Sequence, residues 1–138
     1  MKKSEFAYLA GLVDGEGSIC LVRSSKTAKF RWPCLSISNT TPNIIDWCKQ
    51  TFGGSVVHKP KKQVHHSDAY EWRLRNKPML FHVLANICPY MLVPEKVRRI
   101  NLLLSEYDSC TPRNGKYTPN QLTQKQDFEN RFFHPSEP

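Results

Sequence analysis

Apolar residues recur along the chain in two rhythms, one helical and one that of a half-buried strand. From Glu5 to Asp14 they fall at helical spacing, with Ser4 placed to cap the start and Gly15-Glu16-Gly17 to end the run. Residues 18–24 and 34–39 read as strands, the second alternating Leu35 and Ile37 with Ser36 and Ser38. Thr41-Pro42 opens a second helix with Ile44, Ile45, Cys48 and Phe52 on one face, and Gly53-Gly54 stops it. Strands are predicted at 55–61 and 69–75, where Tyr70, Trp72 and Leu74 alternate with Glu71, Arg73 and Arg75. Pro78 opens a third helix to about Ile87. Pro94 opens a fourth to about Tyr107, with Val97, Ile100, Leu103 and Leu104 inward. After a linker-like stretch at 108–117, Thr118-Pro119 caps a last amphipathic helix carrying Leu122, Phe128 and Phe132. The order α-β-β-α-β-β-α-α is not a strict βαβ alternation. It predicts an α+β fold with an antiparallel sheet, helices on one face and the other face open to a ligand.

Composition narrows what that ligand is. The 138 residues carry a formal charge of +8. Residues 1–100 hold 16 Lys and Arg against 7 Asp and Glu, whereas residues 101–138 hold 4 against 5. The basic excess therefore belongs to the main body, and a field of that sign suits a polyanion, nucleic acid above all. No apolar run is long enough for a transmembrane helix, and the apolar stretch after Met1-Lys2-Lys3 meets Asp14 and Glu16 too soon for a secretory signal. Five widely spaced cysteines with no C-x₂-C pair read as reduced, mostly buried thiols. The protein is expected inside a cell, in a bacterial or phage cytoplasm or an organelle, and not secreted.

Residues 9–17 read Leu-Ala-Gly-Leu-Val-Asp-Gly-Glu-Gly. They resemble the LAGLIDADG motif, with conservative changes at Val13, Gly15 and Glu16. The likeness continues in order through Ser-Ile-Ser-Asn-Thr at 36–40, Phe-Gly-Gly at 52–54, Tyr-x-Trp-x-Leu at 70–74 and Pro-Tyr-Met-Leu-Val at 89–93 leading to Lys96. The chain thus resembles the single-motif LAGLIDADG homing endonucleases over roughly residues 5–107. The resemblance implies an αββαββα core domain over 1–107 with a DNA-binding antiparallel sheet. Residues 108–138 are expected to form a linker and a C-terminal helix packed on that core or extending it.

The motif also has physical sense of its own. Ala7, Gly11 and Gly15 lie at i, i+4 and i+8, a helical stripe almost without side chains along which a second copy could approach closely. An ordinary amphipathic helix explains Gly15 and Gly17 as terminal residues but not Gly11, which costs about 1 kcal/mol relative to Ala in mid-helix. The resemblance implies a homodimer, because the family needs two motif helices and this chain carries one, with Ala10 and Asp14 in the same interface as the stripe. Two helices meeting at a dyad would bring two Glu16 carboxylates together beside the negative ends of both helix dipoles, an arrangement that divalent cations relieve.

The resemblance assigns the metal to Glu16, with the Gly15 carbonyl beside it. It implies Mg²⁺ as the cation, with other divalent ions such as Mn²⁺ or Ca²⁺ expected to be accepted at the same site. Asp14 reads as a structural residue at the helix end. Asn39 matches a family position that orders active-site water, and equally reads as a turn former before Thr41-Pro42. Lys96 matches a basic residue near the scissile phosphate, with Arg98 or Arg99 as substitutes.

Basic residues cluster on the strands and their loops. Arg23, Lys26, Lys29 and Arg31 surround the first hairpin, and His58, Lys59, Lys61, Lys62, Arg73 and Arg75 the second. Ser36, Ser38 and Glu71 alternate with apolar positions and share the open face. Arginine suits guanine edges in a major groove, and the lysines suit phosphates. His65-His66 lacks the further ligands of a metal site and reads as a loop tip.

The expected activity is site-specific hydrolysis of double-stranded DNA at a long pseudo-palindromic site by a homodimer. Two alternatives share the fold: a DNA-binding regulator that does not cleave, and an RNA-splicing maturase, the one reading in which RNA is a partner.

Overall fold

A computed structural model describes residues 1–60, 62–63 and 67–135. The chain runs through α1 (Lys3–Glu16), β1 (Gly17–Val22), β2 (Trp32–Asn39), α2 (Pro42–Phe52), β3 (Ser55–Lys59), β4 (Ala69–Leu74), α3 (Lys77–Ile87), α4 (Pro94–Glu106) and α5 (Pro119–Phe133), with short 3₁₀ turns at Cys88–Tyr90 and Asp108–Cys110. The four strands form one antiparallel sheet in the order β1-β2-β4-β3.

Side-chain alternation separates the two faces of this sheet. Ile19, Leu21, Leu35, Ile37, Trp72 and Leu74 are buried in one core with Leu9 and Val13 of α1, Ile45 of α2, Leu84 of α3 and Ile100 of α4. The opposite positions, among them Ser18, Ser36, Ser38, Glu71 and Arg73, look away from that core. The expected α+β architecture, with helices on one face, is the one observed.

Element boundaries differ from the sequence reading for local reasons. Helix α1 begins at Lys3 because the backbone N–H of Lys2, not the Ser4 hydroxyl, engages the first turn by donating to Glu5 Oε1 at 2.7 Å. Its end lies at Glu16, since Gly15 continues the helix without obstruction. Strand β2 starts two residues earlier than expected, at Trp32, which pairs with Val22. In α4, Ile100 and Leu103 are buried while Leu104 is exposed, so the inward face of this helix is narrower than the apolar pattern suggests. Helix α5 buries Phe128 and Phe132 in the common core. The turn between α2 and β3 requires glycine: Gly54 has φ +90°, and a Cβ there would lie 2.4 Å from the Arg73 carbonyl oxygen. All five cysteines are free, and no helix among the described residues is long and apolar enough to cross a membrane.

Candidate functional site

Glu16 is the last residue of α1 and is exposed, and Gly17 turns the chain directly into β1. The turn is tight. A Cβ on Gly17 would lie 2.6 Å from Val13 Cα and 3.0 Å from its carbonyl oxygen, both backbone atoms that cannot yield cheaply. Glycine at 17 thus fixes where the carboxylate of Glu16 emerges. Gly17→Ala should lower stability by about 1–3 kcal/mol through this overpacking, measured by urea or thermal unfolding.

Strand β2 runs two residues beyond the last β1 pair, Gly17–Ile37, which brings Asn39 alongside Glu16. The Asn39 amide then works in both directions. Its Oδ1 accepts the Thr41 N–H at 2.8 Å, and this leaves Nδ2 to donate to Glu16 Oε2. The turn-forming contact and the carboxylate contact, read from sequence as competing possibilities, coexist in one side chain.

Asp14 lies two residues before Glu16 and is committed elsewhere. Its two oxygens accept the backbone N–H groups of Leu92 and Val93, at 2.9 and 3.0 Å, just ahead of α4. Lys96 reaches back from α4, and its Nζ donates to the carbonyls of Val13 and Asp14 at 2.8 and 2.9 Å. A cation there satisfies last-turn carbonyls and opposes the helix dipole.

The neighbouring arginines do the same for other elements. Arg98 donates to the carbonyls of Arg131 and Phe132 at the end of α5, and Arg99 to that of Ile19 in β1 at 2.8 Å. Helix α4 therefore pins α1, α5 and the sheet edge through three cations. Glu95 is held below the usual carboxylate range, chiefly by its hydrogen bond with Arg98.

The Glu16 carboxylate is a hard oxygen donor of the kind that suits a hard cation, whereas the carbonyls of Val13 and Asp14 are already taken by Lys96. Among the described residues no three His, Cys, Asp or Glu side chains group to hold a metal.

On the open face, the sheet register sets side chains in rows. One row runs Ser18, Ser36, Arg73, Ser55, and the next runs Ser38, Glu71, Val57. Glu71 bridges the face, accepting from Arg73 at 2.5 Å with Lys59 at 3.5 Å, so the guanidinium is held in place. Arg75 follows β4 and is exposed, as are Lys26, Lys29 and Lys62. Arg23 reaches the Ala28 carbonyl within its own loop at 3.4 Å.

Two members of the predicted basic set sit differently. Arg31 is tied to α5: its backbone N–H and Nη1 each donate to Glu129 at 2.9 Å, and its guanidinium lies over Phe133. His58 faces the helix side of the sheet at its end, stacked on Tyr70 and 3.1 Å from Asp68. Lys61, His65 and His66 lie outside the described residues.

Along α1, Ala7, Gly11 and Gly15 are exposed, and a Cβ on either glycine would meet nothing within 4 Å. Ala10 does not join them. It is fully buried against the chain's own core, 100° round the helix from the stripe. Sequence reasoning missed Tyr8, 51% exposed, and Leu92, 85% exposed, both large apolar residues left in the open. Periodicity finds inward faces and gives no signal for an apolar residue directed outward.

No protein-family model matches the sequence, and the curated proteins give no match either. Solved structures do match. The homing endonuclease I-CvuI, in complex with its target in the presence of calcium, aligns with a TM-score of 0.69 at 20% identity, over 99% of this chain and 84% of that one. The archaeal intron-encoded homing endonuclease I-Vdi141I, complexed with DNA, aligns with a TM-score of 0.64 at 16% identity, over 99% and 87%. The LAGLIDADG homing endonuclease I-LtrWI, bound to target DNA, aligns with a TM-score of 0.65 at 19% identity, over 94% of this chain and 45% of that one. The fold is that of the LAGLIDADG homing endonucleases. Within this fold the motif resemblance read from residues 9–17 falls on α1 and the turn at Gly17, and Glu16 stands where that helix ends.

Proposed function

We propose that the chain is a site-specific double-stranded DNA endonuclease that acts as a homodimer, hydrolysing phosphodiester bonds at a long pseudo-palindromic site with Mg²⁺ held by Glu16 of each subunit. One observation carries the reading: an exposed carboxylate, fixed by Gly17 and steadied by Asn39, terminates an exposed small-residue helix stripe beside an open basic sheet face. Residues 1–107 would carry this activity, with α5 as a buttress packed against them. The protein would work in an intracellular compartment that holds DNA.

In this reading the open sheet face lies along the duplex and α1 packs on its counterpart at the dyad. Bound Mg²⁺ would supply Lewis acidity and help to generate the attacking hydroxide. Glu16 and the Gly15 carbonyl would hold it, and Asn39 would orient the carboxylate. Lys96, by holding the carbonyls of Val13 and Asp14, would fix the helix end as a positioning residue. The deciding experiment is incubation with a duplex library and Mg²⁺, followed by sequencing of cut ends. Paired cuts at one symmetric site support the reading, whereas selective binding without cuts would favour a regulator of the same fold.

The row geometry makes the division of labour on the face testable. Arg73→Ala should cost about 1–3 kcal/mol at the native site and relax base preference at one position in each half-site. Lys59→Ala should weaken all sequences alike and reduce the salt slope by about 0.9 for each phosphate no longer neutralised. Binding to a site-variant library at several salt concentrations separates the two. Uniform weakening from Arg73→Ala would mean that this arginine only grips the backbone.

A further inference from the structure

At the end of the sheet opposite Glu16, beyond the Val22–Trp32 pair, a cavity of about 460 Å³ opens between the sheet and the segment joining α4 to α5. Its lining includes Arg31, Arg75, Arg113 and Lys125 with the rings of Trp32 and Tyr117, and contains no carboxylate. Arg31 is paired with Glu129. Arg75, Arg113 and Lys125 form no ion pair among the described residues. Lys125 is the unusual member. It is 1% exposed, donates to the Thr111 hydroxyl and lies 3.9 Å from the Tyr107 ring centroid. Burial pushes its amine below the usual lysine range. The carboxylates that act on it, Glu129 and Asp108, are each paired with another cation, Arg31 and Lys77, so the cavity keeps a positive excess that an anion would relieve.

We infer that this cavity is a nucleotide-binding pocket, taking one base against its aromatic wall and the attached phosphate on Arg75, Arg113 and Lys125. The chemistry fits both halves of such a ligand. The rings of Tyr117 and Phe30 both line the cavity, 4.9 Å apart at 50°, and base–aromatic stacking tolerates any base. Arginine forks grip phosphate through paired donors. The volume falls within the roughly 300–1,000 Å³ of small-ligand sites.

The pocket lies five strand residues from the Glu16 end, roughly 17 Å, or about five base pairs along a duplex lying on the sheet. Its occupant is therefore either a free nucleoside monophosphate or an unstacked nucleotide in the outer half-site of bound DNA. The second source rests on the endonuclease reading, and the first does not.

Calorimetric titration of the whole protein with deoxyadenosine monophosphate tests the pocket without DNA. One ligand should bind per chain, with deoxyadenosine and inorganic phosphate each binding more weakly. Arg113→Ala, an exposed loop substitution, should weaken it by about tenfold or more. Lys125→Met keeps the shape of the buried stem while removing the charge. It should leave unfolding cooperative and reduce affinity similarly. Adding a duplex that the chain binds distinguishes the sources: displacement of the monophosphate assigns the pocket to a nucleotide of the DNA, and unchanged affinity assigns it to the free ligand. Absence of binding at millimolar concentration, or affinity unmoved by both substitutions, overturns the pocket even if the chain cuts DNA. Binding that responds to them upholds it even if the chain cuts nothing.

Discussion

Glu16→Gln should abolish cleavage while leaving duplex affinity within a few-fold of the unaltered protein. The substitution removes the charge that would hold the cation but keeps the length of the side chain. Gln also retains an oxygen that can accept from Asn39 Nδ2, so the contact that orients the side chain survives. Helix α1, Gly17 and the sheet face are untouched, which is why binding should persist. Loss of a metal-holding charge at a reacting phosphate should slow cutting by roughly a thousandfold or more. Single-turnover cleavage and gel-shift affinity on one duplex separate the two effects, and chelation of Mg²⁺ should reproduce the cleavage defect. Cutting near the unaltered rate would move the catalytic acid elsewhere. Asp14 is a poor substitute, because both of its oxygens already accept backbone N–H groups at the start of α4. Asp14→Ala should instead destabilise the protein by leaving the N–H groups of Leu92 and Val93 unpaired.

What could be read from the sequence depended on how local each signal was. The alternation Tyr70-Glu71-Trp72-Arg73-Leu74 specifies a two-faced strand by itself, and the structure places Trp72 and Leu74 in the core with Glu71 and Arg73 opposite. Thr41-Pro42 and Gly53-Gly54 bracket α2 where expected, since caps and breakers act within a turn of their position. Contacts between distant segments were not legible. Arg31 looks like any loop cation until Glu129, 98 residues later, claims it. The α4 cations at 96, 98 and 99 read as a basic cluster, and only the tertiary structure shows each one bonded to carbonyls of a different element. Lys125 lies in the middle of the apolar face of α5, three residues from both Leu122 and Phe128, and packing against Tyr107 buries it although its residue type points outward. At the candidate site, the type and end position of Glu16 were legible from the motif, whereas the need for glycine at 17 rests on a 2.6 Å approach to Val13 that spacing cannot reveal.

Gly11→Leu should produce a folded monomer that no longer cleaves. The space around Gly11 makes this a clean test of assembly, because a Cβ there meets nothing within the chain. The substitution also replaces a poor helix former with a good one, which favours α1 itself by about 0.5–1 kcal/mol. An isolated chain has no evident use for glycine at this point, as the residue is mid-helix, exposed and not in a left-handed conformation. A second copy of α1 packed along Ala7, Gly11 and Gly15 would explain it, and would also cover Leu92 and Tyr8 beside the stripe. A leucine side chain would then wedge the helices apart and separate the two Glu16 carboxylates, with cleavage disappearing in step with the dimer. Gly11→Ala should fall between, with a weaker dimer and a slightly more stable chain. Sedimentation equilibrium gives the assembly state, circular dichroism the fold, and duplex cleavage the function. An unchanged dimer with full activity in Gly11→Leu would place the subunit interface on another face of the molecule, and would leave the glycine stripe without an explanation in packing.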